Sequence, residues 1–161
     1  MSDRPTVVIA SLRYEFAQPF RVGAQAAFEW CTDFRPSDGQ LLEKNSRRSV
    51  RRLSEDTFIL TDTTFPKGRP LRIRRLVRLD RPRLAWTNTD LDGPFRHSQY
   101  WYQILSDGPG RSHLVFTGHH LLRGPTPLTS SEIRRFTRRE LNHDLRLWRD
   151  SIGPALNREL A

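Results

Sequence analysis

The order of apolar and polar positions divides the chain into four parts. Val7–Phe16 alternates as a strand does, with Val7, Ile9 and Leu12 on its buried side, and Pro19 is expected to end it. Val22–Phe34 carries Ala24, Ala26, Ala27, Phe28, Trp30 and Cys31 at helical spacing and reads as a short helix with one apolar stripe. Pro36-Ser37-Asp38-Gly39 supports a turn, with a second helical turn through Leu42. From Ser49 to Leu121 the rhythm becomes period two, predicting strands near 49–54, 57–64, 70–79, 84–89, 97–105 and 113–121. Glu55-Asp56, Pro66-Lys67-Gly68, Asp80-Arg81-Pro82, Asp92-Gly93-Pro94 and Asp107-Gly108-Pro109-Gly110 separate them, and connections this short join antiparallel neighbours. Beyond Gly124-Pro125-Thr126-Pro127, residues 129–152 read as a long helix. Thr129, Ser130 and Ser131 offer N-caps, Glu132 sits in the first turn, and Gly153-Pro154 is expected to close it. The order predicts one α+β domain over 1–161, a curved antiparallel sheet of about seven strands gripping one long C-terminal helix.

That order, together with certain local sequences, resembles the START/polyketide-cyclase superfamily, also called helix-grip or SRPBCC. An opening strand leads into a short helix ending in Glu29-Trp30-Cys31-Thr32-Asp33-Phe34. The turns Arg81-Pro82-Arg83-Leu84-Ala85-Trp86 and Asp107-Gly108-Pro109-Gly110-Arg111-Ser112 look like those between the family's late strands, and a terminal helix closes the chain. The resemblance implies a cavity for a small apolar molecule. It does not imply a reaction, because the family includes carriers as well as cyclases and has no universal catalytic residue.

Hairpin register then suggests what the cavity contains. Pairing 79 with 84 sets Val77 opposite Trp86 and Arg75 opposite Asn88. Pairing 104 with 114 sets Tyr102 opposite Phe116, Tyr100 opposite Gly118 and Ser98 opposite His120. Gly118 is expected to leave space for a ligand. On the last helix, Ile133, Phe136, Leu141, Leu145, Leu147, Trp148 and Ile152 form a broad apolar face, and arginines 134, 135, 138, 139, 146 and 149 cover the other side. Thr137, Glu140, Asp144 and Ser151 fall near the centre of the apolar arc. Two carboxylates there need an answer, and Arg75 or His120 across the cavity is the natural one. Arg75, Asn88, Ser98, His120, Glu140 and Asp144 are therefore expected to form a polar end that orients a ligand. Trp86, Tyr100, Tyr102, Phe116, Phe136 and Trp148 should line the rest. The alternative is a structural ion pair closing the seam between sheet and helix.

Composition adds limits. The chain has 161 residues, 36% of them apolar, and a formal charge of +9. Lys44 and Lys67 are its only lysines, so an arginine-rich coding bias accounts for the charge as simply as phosphate recognition does. Met1–Ala10 has no signal-peptide core, no stretch is long and apolar enough to span a bilayer, and Cys31 stands alone, which together predict a cytoplasmic address. Strand alternation sends His119 away from His120, so His113, His119 and His120 make no metal site, and no nucleotide-binding or hydrolase motif calls for a cofactor. Three functions stay open. The first is carriage of a hydrophobic or aromatic molecule (lipid, polyketide-like or quinone-like), with contact to an anionic membrane as a variant. The second is cyclase- or dehydratase-like catalysis with His120, Glu140 or Asp144 as acid or base and Arg75 steadying an enolate. The third is nucleic-acid binding through Arg47, Arg48, Arg51, Arg52, Arg72, Arg74 and Arg78, with outward Trp101 for stacking; it is the less favoured, since Trp101 equally suits a homodimer contact.

Overall fold

The computed structural model describes residues 7–161; the first six residues of the Met1–Ala10 stretch lie outside the described residues. Seven strands form one antiparallel sheet: β1 (Val7–Phe20), β2 (Arg47–Arg52), β3 (Thr57–Thr64), β4 (Leu71–Asp80), β5 (Ala85–Asp90), β6 (Gln99–Ser106) and β7 (Ser112–Gly124). Their spatial order is β1-β7-β6-β5-β4-β3-β2, so the first strand returns to pair with the last. Between β1 and β2 lie α1 (Ala24–Thr32), a short 3-10 turn at Pro36–Asp38 and α2 (Gly39–Leu42). The expected curved sheet around a long C-terminal helix is what the chain forms. No helix among the described residues is long and apolar enough to cross a membrane.

Proline placement departs from expectation twice. Pro19 does not end β1: it pairs with His113, and the strand continues to Phe20. Because β1 is an edge strand, one side of its backbone has no neighbour, and a residue without an N–H is tolerated there. Nor does Gly153-Pro154 end the last helix. α3 (Ser130–Leu147) passes into a π turn over Trp148–Ile152 and then into α4 (Gly153–Leu160), a continuous run of 31 residues. The Gly153 amide donates to the carbonyl of Trp148, five residues back, and this wider turn accommodates the proline that follows. At the other end Thr129 and Glu132 form a reciprocal capping box.

Two register details also differ. A bulge at Ile9 breaks the alternation of β1, leaving Val7 56% exposed, while Leu12, Tyr14, Gln18 and Phe20 point inward. The β4–β5 turn is longer than expected because Leu84 belongs to it, in a left-handed conformation (φ 50°) after a 3-10 turn at Arg81–Arg83. Leu79 therefore faces Trp86, Val77 faces Asn88, and Arg75 faces Asp90. A shift of two residues keeps every side chain on its face, so the inward set survives with new partners. The β6–β7 register is as expected, with Tyr102 opposite Phe116 and Tyr100 opposite Gly118.

Candidate ligand cavity

Between the concave sheet face and the C-terminal helix lies a cavity of about 360 Å³. Its walls follow from strand parity: Trp86 on β5, Tyr100 and Tyr102 on β6, and Phe116 and His120 on β7 all point inward. Trp86 and Tyr102 stack with centroids 4.7 Å apart and planes within 4°, and Phe116 meets Tyr102 edge-on at 5.0 Å. Trp148, at the start of the π turn, closes the helical side 6.1 Å from Tyr102. His143, 73% exposed, marks the rim.

The charged side chains on the sheet satisfy one another. Arg75 occupies the one charged inward position in the middle of β4, between Ile73 and Val77. Its Nη1 donates to Asp62 at 2.6 Å and its Nε to Asp90 at 3.1 Å. Arg48 grips the same Asp62 with two bonds, at 2.7 and 3.0 Å. The Asp62 and Asp90 side chains are each 2% exposed. Burial pushes Asp90 up to about 6, against the pull of Arg75. Burial works against the Arg75 cation too, but Asp90 and Asp62 outweigh it and hold the guanidinium above its ordinary pKa. Arg75 thus does not answer Glu140 or Asp144, because two nearer carboxylates take its charge. Arg48 likewise faces inward and leaves the outer basic surface assigned to it, and so does Arg52, of the same parity on β2, whose guanidinium lies 5.9 Å over the Phe58 ring; Arg47, Arg51, Arg72, Arg74 and Arg78 are exposed. On that outer face Trp101 is 40% exposed and stacks with His119.

Asp144 is answered from β1. Because α3 packs across β1, the Tyr14 hydroxyl reaches into the cavity wall, donates to Asp144 and lies 2.7 Å from Nε2 of His120. The hydroxyl has a single proton, and that proton goes to the carboxylate. His120 must therefore carry its proton on Nε2 and donate it to Tyr14, which leaves Nδ1 as a bare acceptor. Burial lowers the His120 pKa to about 4, with Asp144 only partly opposing, so the ring is neutral near pH 7. Nδ1 has no partner, nor does the carbonyl oxygen of Asn88, whose amide nitrogen donates to Tyr102 at 3.3 Å. Burial, then Asp144, raises the Tyr14 pKa far above the ordinary phenol value, and burial does the same at Tyr100 and Tyr102.

Gly118 does not leave space for a ligand. A Cβ there would sit 2.6 Å from Cζ of Tyr14, so the missing side chain makes room for the tyrosine ring. Of the expected site residues, Arg75, Trp86, Asn88, Tyr100, Tyr102, Phe116, His120, Glu140, Asp144 and Trp148 line the cavity. Ser98 and Phe136 do not. Ser98 is fully buried and its hydroxyl accepts from the Leu121 amide, a bond internal to the sheet, while Phe136 packs under the Arg139 guanidinium, 4.6 Å away. Arg48, Asp62 and Asp90 are additions to the lining, and Tyr14 is an addition behind it, bonded to His120 and Asp144. Alternation signalled three of them, since Tyr14 follows Leu12, Asp62 follows Leu60 and Arg48 precedes Val50 by two positions each. No group of three or more metal-ligating side chains forms a metal site among the described residues.

No protein-family model and no curated protein sequence matches the chain. Its fold matches solved structures. The Zhui aromatase/cyclase from a Streptomyces species superposes with a TM-score of 0.68 at 15% identity, over 86% of this chain and 91% of that one. A norcoclaurine synthase from Thalictrum flavum gives 0.65 at 10% identity over 98% and 99%. A START superfamily protein from Mycobacterium smegmatis gives 0.62 at 10% over 84% and 92%. Sequence identity this low speaks to architecture alone, and on that ground the chain has the helix-grip fold of the START/polyketide-cyclase superfamily.

Proposed function

We propose that the chain binds a small molecule with an aromatic or apolar body and a polar group at one end. One observation carries this reading: the aromatic cavity contains two buried acceptors, Asn88 Oδ1 and His120 Nδ1, without partners. Leaving a buried polar atom unpaired costs about 1–3 kcal/mol, a cost that a bound ligand's donors would remove. The volume lies near the lower end of the roughly 300–1,000 Å³ range of small-molecule sites, which favours a ring system over a long acyl chain. Native mass spectrometry of freshly purified protein tests the proposal, together with titration of one- and two-ring aromatics followed by tryptophan fluorescence. Co-purified small molecules or saturable quenching are expected. Empty protein with no saturable response to any member of the panel would overturn it.

A second reading, cyclase-like catalysis, draws on the Tyr14 bridge between His120 and Asp144. Under it, Nδ1 of His120 takes a proton from a carbon next to a carbonyl, and the C–H electron pair moves into the enolate. The imidazolium so formed is steadied through Nε2–H, Tyr14 and Asp144. Solvent deuterium should then enter a diketone probe faster with the wild type than with His120→Phe. Equal rates would remove this reading and leave the first intact.

A further inference from the structure

We infer that the molecule this cavity takes carries a protonated amine, held between Glu140, Asp144 and the aromatic wall. The inference rests on the binding function proposed above and narrows its ligand class.

The charge balance points this way. Six carboxylates line the cavity (Asp38, Glu43, Asp62, Asp90, Glu140 and Asp144) against two guanidiniums, Arg48 and Arg75, and no lysine. That is the reverse of the whole chain, whose formal charge is +9. The two arginines do not serve the helix acids, because Asp62 and Asp90 already match them charge for charge. Glu140 and Asp144 stand one helical turn apart on the cavity face, their side chains only 14% and 19% exposed. Like charges at this spacing repel, and partial burial strengthens the repulsion. Glu140 has one ionic contact among the described residues, 3.4 Å from Nε of Arg139, which is 63% exposed and stacked on Phe136 outside the cavity. Asp144 holds Tyr14 and, at 3.2 Å, the exposed rim residue His143. His120, neutral and only 2% exposed, adds an unpartnered acceptor rather than a cation.

The hydrogen-bonding inventory agrees. Glu140, Asp144, the carbonyl of Asn88 and Nδ1 of His120 all accept. Elsewhere in the lining the phenols of Tyr100 and Tyr102 can give or take, and the N–H groups of Arg48, Arg75, Trp86 and Trp148 donate. A ligand that completes this end must therefore bring donors, and an ammonium group brings nothing else. The rings of Trp86, Tyr100, Tyr102 and Trp148 line the same cavity, and a cation seated over an aromatic face is attracted by its negative charge density. An acid would meet two carboxylates whose ionic contacts, Arg139 and His143, are both largely exposed, and a neutral ligand would leave their repulsion unrelieved.

Phenethylamine, phenethyl alcohol and phenylacetate share a ring and differ in charge. Each is titrated into the full chain at neutral pH and followed by tryptophan fluorescence, with Nile red as a neutral probe of the cavity itself. The amine should bind about tenfold or more tighter than the alcohol, which is about 1.4 kcal/mol, and the acid weakest. Glu140→Gln should abolish that preference, and it spares the Tyr14 bridge that Asp144→Asn would disturb; Nile red binding by the same variant reports whether the cavity itself is intact. If the alcohol or the acid binds as well as the amine while Nile red binds, the amine assignment is overturned and the cavity reading stands. If Nile red and all three ligands fail to bind, both fall.

Discussion

The fit between Gly118 and Tyr14 can be tested by adding one methyl group. In Gly118→Ala the new Cβ would lie 2.6 Å from Cζ, 2.8 Å from the hydroxyl oxygen and 2.9 Å from Cε2 of Tyr14. Carbon atoms rest at about 3.5–4.0 Å, so the ring must retreat by about 1 Å. The ring is buried among Phe116, His120 and α3 and has little room to do so. Forcing a methyl into such a core costs about 1–3 kcal/mol. Stretching the hydroxyl away from His120, now at 2.7 Å, removes about 1 kcal/mol more. Against this, replacing a glycine outside the left-handed region restricts the unfolded chain and returns about 0.4–1 kcal/mol. The net is a loss of about 2 kcal/mol. With a urea m-value of about 2 kcal/mol per molar, the unfolding midpoint should fall by about 1 M. The decisive measurement is the same substitution in a Tyr14→Ala background. There the clash is gone and only the unfolded-state term survives, so Gly118→Ala should be neutral or slightly stabilising, a coupling of about 2 kcal/mol. An equal midpoint shift in both backgrounds would mean that the tyrosine ring does not occupy the space over Gly118, and the Tyr14–His120–Asp144 arrangement would fall with it.

Asp62→Asn should be far more damaging than its size suggests. It leaves Arg48 and Arg75 facing each other with one charge fewer between them, and removing one partner from a buried ion network costs about 3–5 kcal/mol, readable as a drop in urea midpoint. Acid titration should reveal two opposed groups. Asp90, raised to about 6, retains a proton that the unfolded chain has lost, so its contribution favours the fold at low pH and disappears as pH rises through about 6. His120, lowered from 6.5 to about 4, refuses a proton that the unfolded chain takes, so its contribution is present above 6.5 and lost as pH falls toward 4. The two offset each other in the wild type. In Asp90→Asn the midpoint should fall more steeply than wild type as pH drops from 6.5 toward 4, and parallel curves would rule this pairing out.

What the sequence made legible was parity. Alternation in 97–105 and 113–121 is unbroken, and one turn with two glycines, Asp107-Gly108-Pro109-Gly110, closes the β6–β7 hairpin, so Tyr100, Tyr102 and Phe116 could be assigned to one wall with their partners. The β4–β5 hairpin had the same alternation but a turn, Asp80-Arg81-Pro82-Arg83, without a glycine. Leu84 looks like the first strand residue, yet it adopts the left-handed region and lengthens the loop. Local pattern does not distinguish those cases. Pairing between β1 and β7 is a contact between residues about a hundred positions apart, set by closure of the whole sheet. For that reason Gly118 reads from the sequence as empty space and is found under a tyrosine. Choice of ion-pair partner was illegible for a related reason. The carboxylates on the helix were conspicuous because they interrupt an apolar arc, whereas alternation marks Asp62 as inward without naming the arginines it meets, and Asp90 lies just beyond the expected strand 84–89.

The two polar groups inside the fold therefore differ in kind. Arg48, Asp62, Arg75 and Asp90 form a closed set of ion pairs, equal in charge and bonded to one another. Glu140, Asp144, His120 and Asn88 form an open one, with excess negative charge and two acceptors that no protein group meets. A closed buried network holds neighbouring strands in place, and its loss appears in stability. An open one is strained in isolation and gains from a partner that supplies donors. Substitutions in the two sets should separate accordingly: Asp62 and Arg48 variants should lose urea resistance, whereas Glu140→Gln should relieve a repulsion, hold or raise the midpoint, and surrender ligand preference. The same carboxyl-to-amide change, made on opposite walls of one cavity, should thus move stability in opposite directions.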